Sequence, residues 1–356
     1  MAGAAELFTG SSSLQNLSAY LSSNSFSQIF VLVDQNTVKH CYPKIKKHLP
    51  AHSLIKIKSG EQNKTLNTCE LIWQKLTDAN ADRNTLLINV GGGVIGDMGG
   101  FAAGCYKRGI KFVNIPTTLL AMVDASVGAK TGVDLKGFKN QIGLFNESVA
   151  IFIDTVFLNT LPKRELAAGL AEVIKHYLIA DKSAFEDLAG MLIDKKGAIG
   201  LPDIDWQGLV EKNIAIKGNI VAGDKFETGP RKALNFGHTV GHAVESYFLN
   251  GKQKVLHGEA VAVGMICEAY ISKAIGKLSG QELDTIVALV INTFKNRPGI
   301  QKRNIPGIVK LMKQDKKNVG SKNQFTLLNG IGGYLINNTV AVDIIIRSLQ
   351  FYSEIS

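Results

Sequence analysis

The strongest constraint on the fold is a strand-length apolar run that ends in a cluster of glycines. Leu86–Val90 is short and apolar, and Asn89-Val-Gly91-Gly92-Gly93-Val-Ile-Gly96-Asp97 leads from it into a segment that reads as a helix start. Gly91, Gly93 and Gly96 have the G-x-G-x-x-G spacing. Glycines let the backbone turn tightly and approach a pyrophosphate, whose charge is favoured by free amides at a helix N-terminus. A tight strand-to-helix turn with no ligand is the alternative reading. The usual fingerprint also places a ribose-binding acid about 20 residues downstream, where this chain has Lys111 and no acid. Asp34, at the end of an earlier apolar run, is the acid available from a neighbouring strand. That substitution predicts a Rossmann-like sheet without the standard chain order.

The surrounding pattern supports such a sheet. Ile29–Asp34, Leu54–Lys58, Val113–Thr118 and Ala150–Asp154 read as further strands or strand ends. Between Thr65 and Asn80, Leu66, Cys69, Ile72, Trp73 and Leu76 keep helical spacing. Strands alternating with helices predict a parallel sheet. After Asp154 the pattern changes to long helical periods at Arg164–Ala180, Trp206–Asp224, Gly237–Leu249, Glu259–Ile275 and Gln281–Asn292. A chain of 356 residues, 45% of them hydrophobic, is long for one core, since single cores rarely exceed roughly 250–300 residues. We therefore expect an α/β fold: an N-terminal Rossmann-like parallel-sheet domain over residues 1–158, then a mostly α-helical domain over residues 159–356. A cleft between the two is the expected place for chemistry.

The formal charge of +10 raises the question of nucleic acid. The basic residues lie in separate short clusters, such as Lys44–Lys47, Lys56–Lys58 and Lys313–Lys322, without a basic repeat or interleaved aromatics. They are read as solvated faces that also draw in small anions, not as a nucleic-acid surface. Cys41, Cys69, Cys105 and Cys267 stand far apart, which argues against a disulfide framework or zinc ribbon and for a reducing compartment. No secretory signal is visible, and no apolar stretch reaches the ~20 residues of a membrane span. A cytoplasmic protein is expected.

Asn235-Phe-Gly-His238-Thr-Val-Gly-His242-Ala-Val-Glu245 places two histidines four apart, on one helical face. A third, His257, opens the next helical segment. Three of the seven histidines thus fall within twenty residues, a density suited to a metal site with an open position. Hydrogen-bonded histidines at a helical interface are the alternative, and the absence of H-E-x-x-H excludes the usual metalloprotease arrangement. A carboxylate ligand is still required. Glu172, lodged among Leu170, Val173 and Ile174, is costly to bury without a cation, and Lys175 lies one turn on.

Taken together, these segments resemble the 3-dehydroquinate synthase family of sugar-phosphate cyclases. The similarity runs through Val33-Asp-Gln-Asn36, Gly60-Glu-Gln-Asn-Lys-Thr65, Gly91–Asp97, Lys107-Arg-Gly109, Ile115-Pro-Thr-Thr-Leu-Leu-Ala-Met-Val-Asp124, Gly128-Ala-Lys-Thr-Gly132, Lys139-Asn140, the Glu172 helix, both histidine segments and Asp315-Lys-Lys317. The resemblance implies Glu172, His238 and His257 as ligands of zinc, or cobalt, with His242 facing substrate. It implies an NAD site of Asp34, Asn36, Glu61, Lys64, Gly92, Gly93, Val94, Asp97, Thr117, Thr118, Lys130, Lys139, Phe157 and Thr160. Asp124, Lys130, Lys175, Glu227, Asn235 and His242 become the catalytic set, and Arg108, Lys139, Asn140, Lys217, Arg231 and Lys316 the substrate-binding set. Arg108 is placed to reach a partner's site, because the family is usually dimeric.

The implied substrate, 3-deoxy-D-arabino-heptulosonate 7-phosphate, carries a phosphate and a carboxylate, which call for several Lys and Arg donors. Lys130, Asn140, Asn235, His242 and Lys316 are expected near the phosphate, with Lys217 and Arg231 toward the carboxylate. The implied reaction oxidises a metal-chelated hydroxyl with NAD, eliminates phosphate, returns the hydride and closes the ring by an aldol step, giving 3-dehydroquinate for aromatic amino acid biosynthesis by the shikimate pathway. The competing readings are a sibling cyclase whose substrate lacks the carboxylate, and a metal-dependent polyol dehydrogenase.

Overall fold

The computed structural model describes residues 5–136, 138–193, 204–249, 255–312 and 323–356. The chain divides into two compact units, Met1–Leu166 with Asp205–Gly218, and Ala167–Ile204 with Asn219–Ser356. The expected single cut after residue 158 does not contain the return of 205–218 to the first unit.

The first unit is built on a six-stranded, all-parallel sheet. Its strands are β1 (Glu6–Thr9), β2 (Ile29–Asp34), β3 (Ser53–Ile57), β4 (Leu86–Gly91), β5 (Lys111–Pro116) and, skipping two strands outside this sheet, β8 (Ala150–Ile153). They lie in the order β3-β2-β4-β5-β8-β1. Every residue of β4 is buried, as are the first five of β2. A strand covered on both faces reads as an unbroken apolar run, which is why these strands stand out in the sequence. Helices α1 (Ser13–Ser23), α2 (Gln35–His40), α3 (Tyr42–Lys46), α4 (Leu66–Asp78) and α5 (Gly93–Cys105) connect or cover them. Cys69, Ile72 and Leu76, the buried face of α4, share one core cluster with Leu32, Leu87 and Phe112. β6 (Lys130–Leu135) and β7 (Phe138–Phe145) form a separate antiparallel hairpin.

β1 was not anticipated from Glu6-Leu-Phe-Thr9, which is too short to show a period. It is fixed instead by a long-range aromatic contact. Phe8 pairs with Phe152 of β8 and stacks on it at 4.6 Å between centroids, with Tyr20 of α1 edge-on to both rings. Each such ring pair contributes about 0.5–1.5 kcal/mol beyond area burial.

The second unit is mostly helical. It contains α6 (Lys163–Ala180) from Ala167 onward, α7 (Lys182–Ile193), the end of α8 (Trp206–Ala222), α9 (His238–Phe248), α10 (His257–Ala274), α11 (Gly280–Thr293), α12 (Ile305–Met312) and α13 (Val342–Ile355). One antiparallel pair, β9 (Gln324–Leu328) with β10 (Tyr334–Thr339), joins them. α10 packs against α9, α11 and α13 and is buried along most of its length, Glu259 and Glu268 included. It begins at His257, the residue expected to open it, and Glu259 reaches back to accept from the Leu256 amide at 2.9 Å, capping its first turn.

All four cysteines are free, with Cys105 exposed and the others buried. Burial pushes the Cys41 thiol up to about 11 and the Cys69 thiol up to about 12, so neither is a reactive thiolate. Among the described residues no helix is long and apolar enough to cross a membrane.

Candidate active site

In the first unit the chain leaves β2 for β3 on one side of the sheet, whereas β4 and β5 build outward on the other. The point where the direction reverses lies between the carboxyl ends of β2 and β4, and open α/β sheets bind their ligands at such a point. Asp34 ends β2, and Gly91 ends β4 with Gly92 and Gly93 following it, so the two features meant for a dinucleotide come from adjacent strands.

The N-cap of α5, Gly92, supplies no side-chain cap, which leaves the first-turn amides of the helix available. A Cβ at Gly92 would come within 3.0 Å of Thr118 Cγ2 and intrude on a small cavity lined by Gly91, Gly92, Gly93, Pro116 and Ala125. Val94 is partly buried in the same first turn, and the Thr117 amide donates to the Gly91 carbonyl at 3.0 Å. Asp34 has a structural duty as well. Its Oδ1 accepts from the amides of Asn36 (2.9 Å) and Thr37 (2.8 Å), capping α2 and leaving Oδ2 outside these bonds.

Behind this loop stands a network of charges. Lys64 Nζ lies 2.6 Å from Asp97 Oδ2 and 2.5 Å from Asn140 Oδ1, and Lys139 Nζ lies 3.1 Å from Glu61 Oε1. Burial works against the Lys64 charge, but Asp97 and Glu61 outweigh it and hold its pKa above the ordinary value. Burial pushes the Asp97 carboxyl up, with Lys64 offsetting only part of the effect. Asn140 takes a left-handed φ of 48°, and its amide donates to Asp134 Oδ1 at 2.8 Å.

One residue of the expected catalytic set pairs with one of the substrate-binding set: Lys217 Nζ lies 2.7 Å from Asp124 Oδ1 and also reaches the Asp124 carbonyl. Lys130 is exposed. Arg108 is exposed too and holds a left-handed φ of 69°. Phe157 is buried, and exposed Thr160 donates to its carbonyl at 3.2 Å.

In the second unit α9 and α10 each open with a histidine, and α6 contributes the acid. Glu172 Oε1 lies 3.5 Å from His238 Nε2 and 3.6 Å from His257 Nε2. Lys175 forms an ion pair with the other oxygen, Oε2. Glu172 is fully buried, so this pairing offsets the cost of removing the carboxylate from water. The ring of His242 is 5.2 Å from that of His238 and 5.8 Å from that of His257.

The other ring nitrogens are also engaged. His238 Nδ1 is 3.0 Å from the Phe236 carbonyl, and His257 Nδ1 is 3.1 Å from Glu245 Oε2. Both partners are acceptors, so in each neutral imidazole the proton sits on Nδ1 and the Nε2 lone pair faces Glu172. Glu245 is a participant to which the sequence reading assigned no role. The signal was available in His242-Ala-Val-Glu245, because a metal-binding histidine needs a partner for its second nitrogen.

Glu227 adopts a left-handed φ of 60° and accepts from Asn235 Nδ2 at 2.7 Å. Arg231 is buried, with Nη1 donating to the Lys225 carbonyl at 2.6 Å. The loop holding both is gathered by Asp224, which accepts from the amides of Thr228 (2.9 Å), Gly229 (2.7 Å) and Arg231 (3.1 Å). Burial opposes the Asp224 charge, but these bonds prevail and lower its pKa. Lys316 lies outside the described residues.

Known proteins are similar to this chain over most of its length. The family models described as 3-dehydroquinate synthase N-terminal and C-terminal match residues 54–168 and 169–318. A 3-dehydroquinate synthase from Parabacteroides distasonis is 40% identical over 343 residues, covering 95% of each chain. Among solved structures, a 2-epi-5-epi-valiolone synthase from Streptomyces hygroscopicus subsp. jinggangensis 5008, with NAD+ and Zn2+ bound, is similar at TM-score 0.86 and 25% identity over 99% of this chain and 98% of its own. A 2-deoxy-scyllo-inosose synthase complexed with carbaglucose-6-phosphate, NAD+ and Co2+ is similar at TM-score 0.83 and 25% identity, covering 97% of this chain and 96% of its own.

Proposed function

The chain belongs to the 3-dehydroquinate synthase family, and from that membership we propose that it converts 3-deoxy-D-arabino-heptulosonate 7-phosphate to 3-dehydroquinate and phosphate. The observation that carries this reading is the Glu172–His238–His257 cluster. Tetrahedral zinc with bonds of about 2.0–2.1 Å holds its ligand atoms about 3.4 Å apart. The separations of 3.5 and 3.6 Å from Glu172 Oε1 to the two Nε2 atoms match that spacing, and the donor set of two imidazoles and a carboxylate suits zinc or cobalt. For NAD, the support is the uncapped start of α5 at Gly92, where a Cβ would crowd Thr118 at 3.0 Å, with Asp34 at the end of the next strand.

When bound, NAD takes up and returns a hydride while the metal acidifies the substrate hydroxyl. The protein's own groups do the rest. Glu172, His238 and His257 hold the metal, and Lys175 compensates the second Glu172 oxygen. Asp34, Asn36, Glu61, Lys64, Gly92–Val94, Asp97, Thr117, Thr118, Phe157 and Thr160 form the nucleotide site, with Lys130 and Lys139 adding positive charge. Asp124, Lys217, Glu227, Arg231, Asn235 and His242 orient an anionic substrate, together with Asn140 and Lys316. Lys217 is pre-oriented by Asp124, and Asn235 by Glu227, so each meets the substrate with little further ordering cost.

We assign the protein to the cytoplasm, whose reducing conditions suit four free thiols. We also assign it a homodimer, in which a second copy covers the exposed Leu135 and Leu144 side chains of the hairpin and Arg108 reaches the partner.

The test supplies the protein with the heptulosonate phosphate and catalytic NAD while following phosphate and NADH. Phosphate release with many turnovers per NAD is expected. Stoichiometric NADH accumulation would establish a dehydrogenase instead, and turnover confined to sugar phosphates lacking the carboxylate would establish a sibling cyclase.

A further inference from the structure

α9 starts without a cap of its own. Its N-cap is Gly237, held at φ 78° with no side chain to offer, and a Cβ there would sit 2.8 Å from Met265 Cγ and 3.2 Å from the Val261 carbonyl of α10. Neither Ser, Thr, Asp nor Asn, the side chains that ordinarily accept from first-turn amides, fits this position. The amides are served from a different helix. Glu268 of α10, fully buried, accepts from the Gly237 amide through Oε2 at 2.7 Å and from the Val240 amide through Oε1 at 3.0 Å.

His238 lies between those two amides. Its ring is also tied back to the Phe236 carbonyl, so residues 236–240 are fixed on both sides of the histidine. Glu268 stands eleven residues beyond His257 on α10, about three turns and hence the same helical face. One face of α10 thus carries a histidine of the cluster at its start and, further along, the carboxylate that sets the other histidine's helix.

We infer that Glu268 is a positioning residue: it caps α9 from α10 and so fixes where His238 directs Nε2 relative to His257 and Glu172. This rests on the metal reading above. The carboxylate is suited to the task because both its oxygens accept and its charge is favoured at a helix N-terminus. Glutamine would keep the shape but turn an NH2 donor toward one of the two amides.

The experiment uses full-length protein stripped of metal, then titrated with zinc against a chromophoric chelator, and separately loaded with cobalt for its visible spectrum. Glu268→Gln is compared with Tyr352→Phe, which deletes a buried hydrogen bond to the Pro298 carbonyl (2.8 Å) and leaves α9 alone. The expected result is zinc affinity at least about 10-fold weaker in Glu268→Gln, with an altered cobalt spectrum. Tyr352→Phe should melt earlier yet keep wild-type affinity and spectrum. Should Glu268→Gln not fold, Glu268→Asp, whose shorter arm cannot span both amides, carries the same expectation. Wild-type zinc affinity and cobalt spectrum in the folded Glu268 variant overturn the inference, as does an equal loss of affinity in Tyr352→Phe. If the wild-type protein itself binds no stoichiometric zinc, the ligand assignment fails first and the inference falls with it.

Discussion

The carboxylate of Glu245, on α9, accepts a hydrogen bond from Nδ1 of His257, on α10, at 3.1 Å. A bond between the two helices therefore decides which nitrogen of His257 faces Glu172. Glu245→Ala frees the ring to rotate and to change tautomer. Zinc affinity should fall by about 10–100-fold, measured by chelator competition, with the helical circular dichroism retained. Unchanged affinity would mean that packing alone orients His257.

Removing a ligand outright should cost more than removing its support. His257→Ala is expected to emerge from dialysis without stoichiometric metal and with activity reduced by more than about 100-fold, the upper end of the effect of losing a supporting partner. Elemental analysis is the check. Full metal occupancy in this variant would mean that a group other than His257 completes the site.

Lys64→Met leaves Asp97 without its nearest cation. Breaking one side of a buried ion pair costs about 3–5 kcal/mol, and the low end applies because Asp97 retains 19% exposure. The sign of the pH dependence follows from the raised Asp97 pKa. An acid that binds its proton more tightly when folded favours the native state at low pH, and that contribution is lost as pH rises through the raised value. Urea titrations should therefore show the Lys64→Met deficit to be largest at neutral pH and smaller under acid conditions.

Asp224 has the opposite sign. Its lowered pKa stabilises the fold above the ordinary carboxylate range, and this contribution is lost as pH falls through the lowered value. Asp224→Asn lacks it at every pH. The variant should melt a few degrees below wild type at neutral pH, the two curves converging in strong acid. A constant gap across the acid range would count against the capped loop at Thr228–Arg231.

The central strands could be read directly because burial on both faces writes them as continuous apolar runs, as in Ile29–Asp34 and Leu86–Gly91. The histidine cluster was legible for a similar reason, since one helical turn brings His238 and His242 together. The Lys64–Asp97 pair was not, because thirty-three positions of sequence separate its members and only the packing of α5 unites them. The hairpin of β6 and β7 escaped notice too. Its Lys-Thr-Gly-Val-Asp-Leu strand is only half apolar and pairs with β7 alone, outside the six-stranded sheet. Glu245 and Glu268 show the same limit, for an acid on a helix declares its charge but not which backbone or ring it will meet.

The pairing of β1 with β8 also has a consequence in time. Glu6 must wait for Ala150 before its strand has a neighbour, and at synthesis rates of about 5–20 residues per second that delay is on the order of ten seconds. The wait lengthens for Thr9, which donates to Glu211 at 2.9 Å within the returning 205–218 segment. The N-terminal unit is thus first to leave the ribosome yet receives its last piece only after part of the other unit has been made.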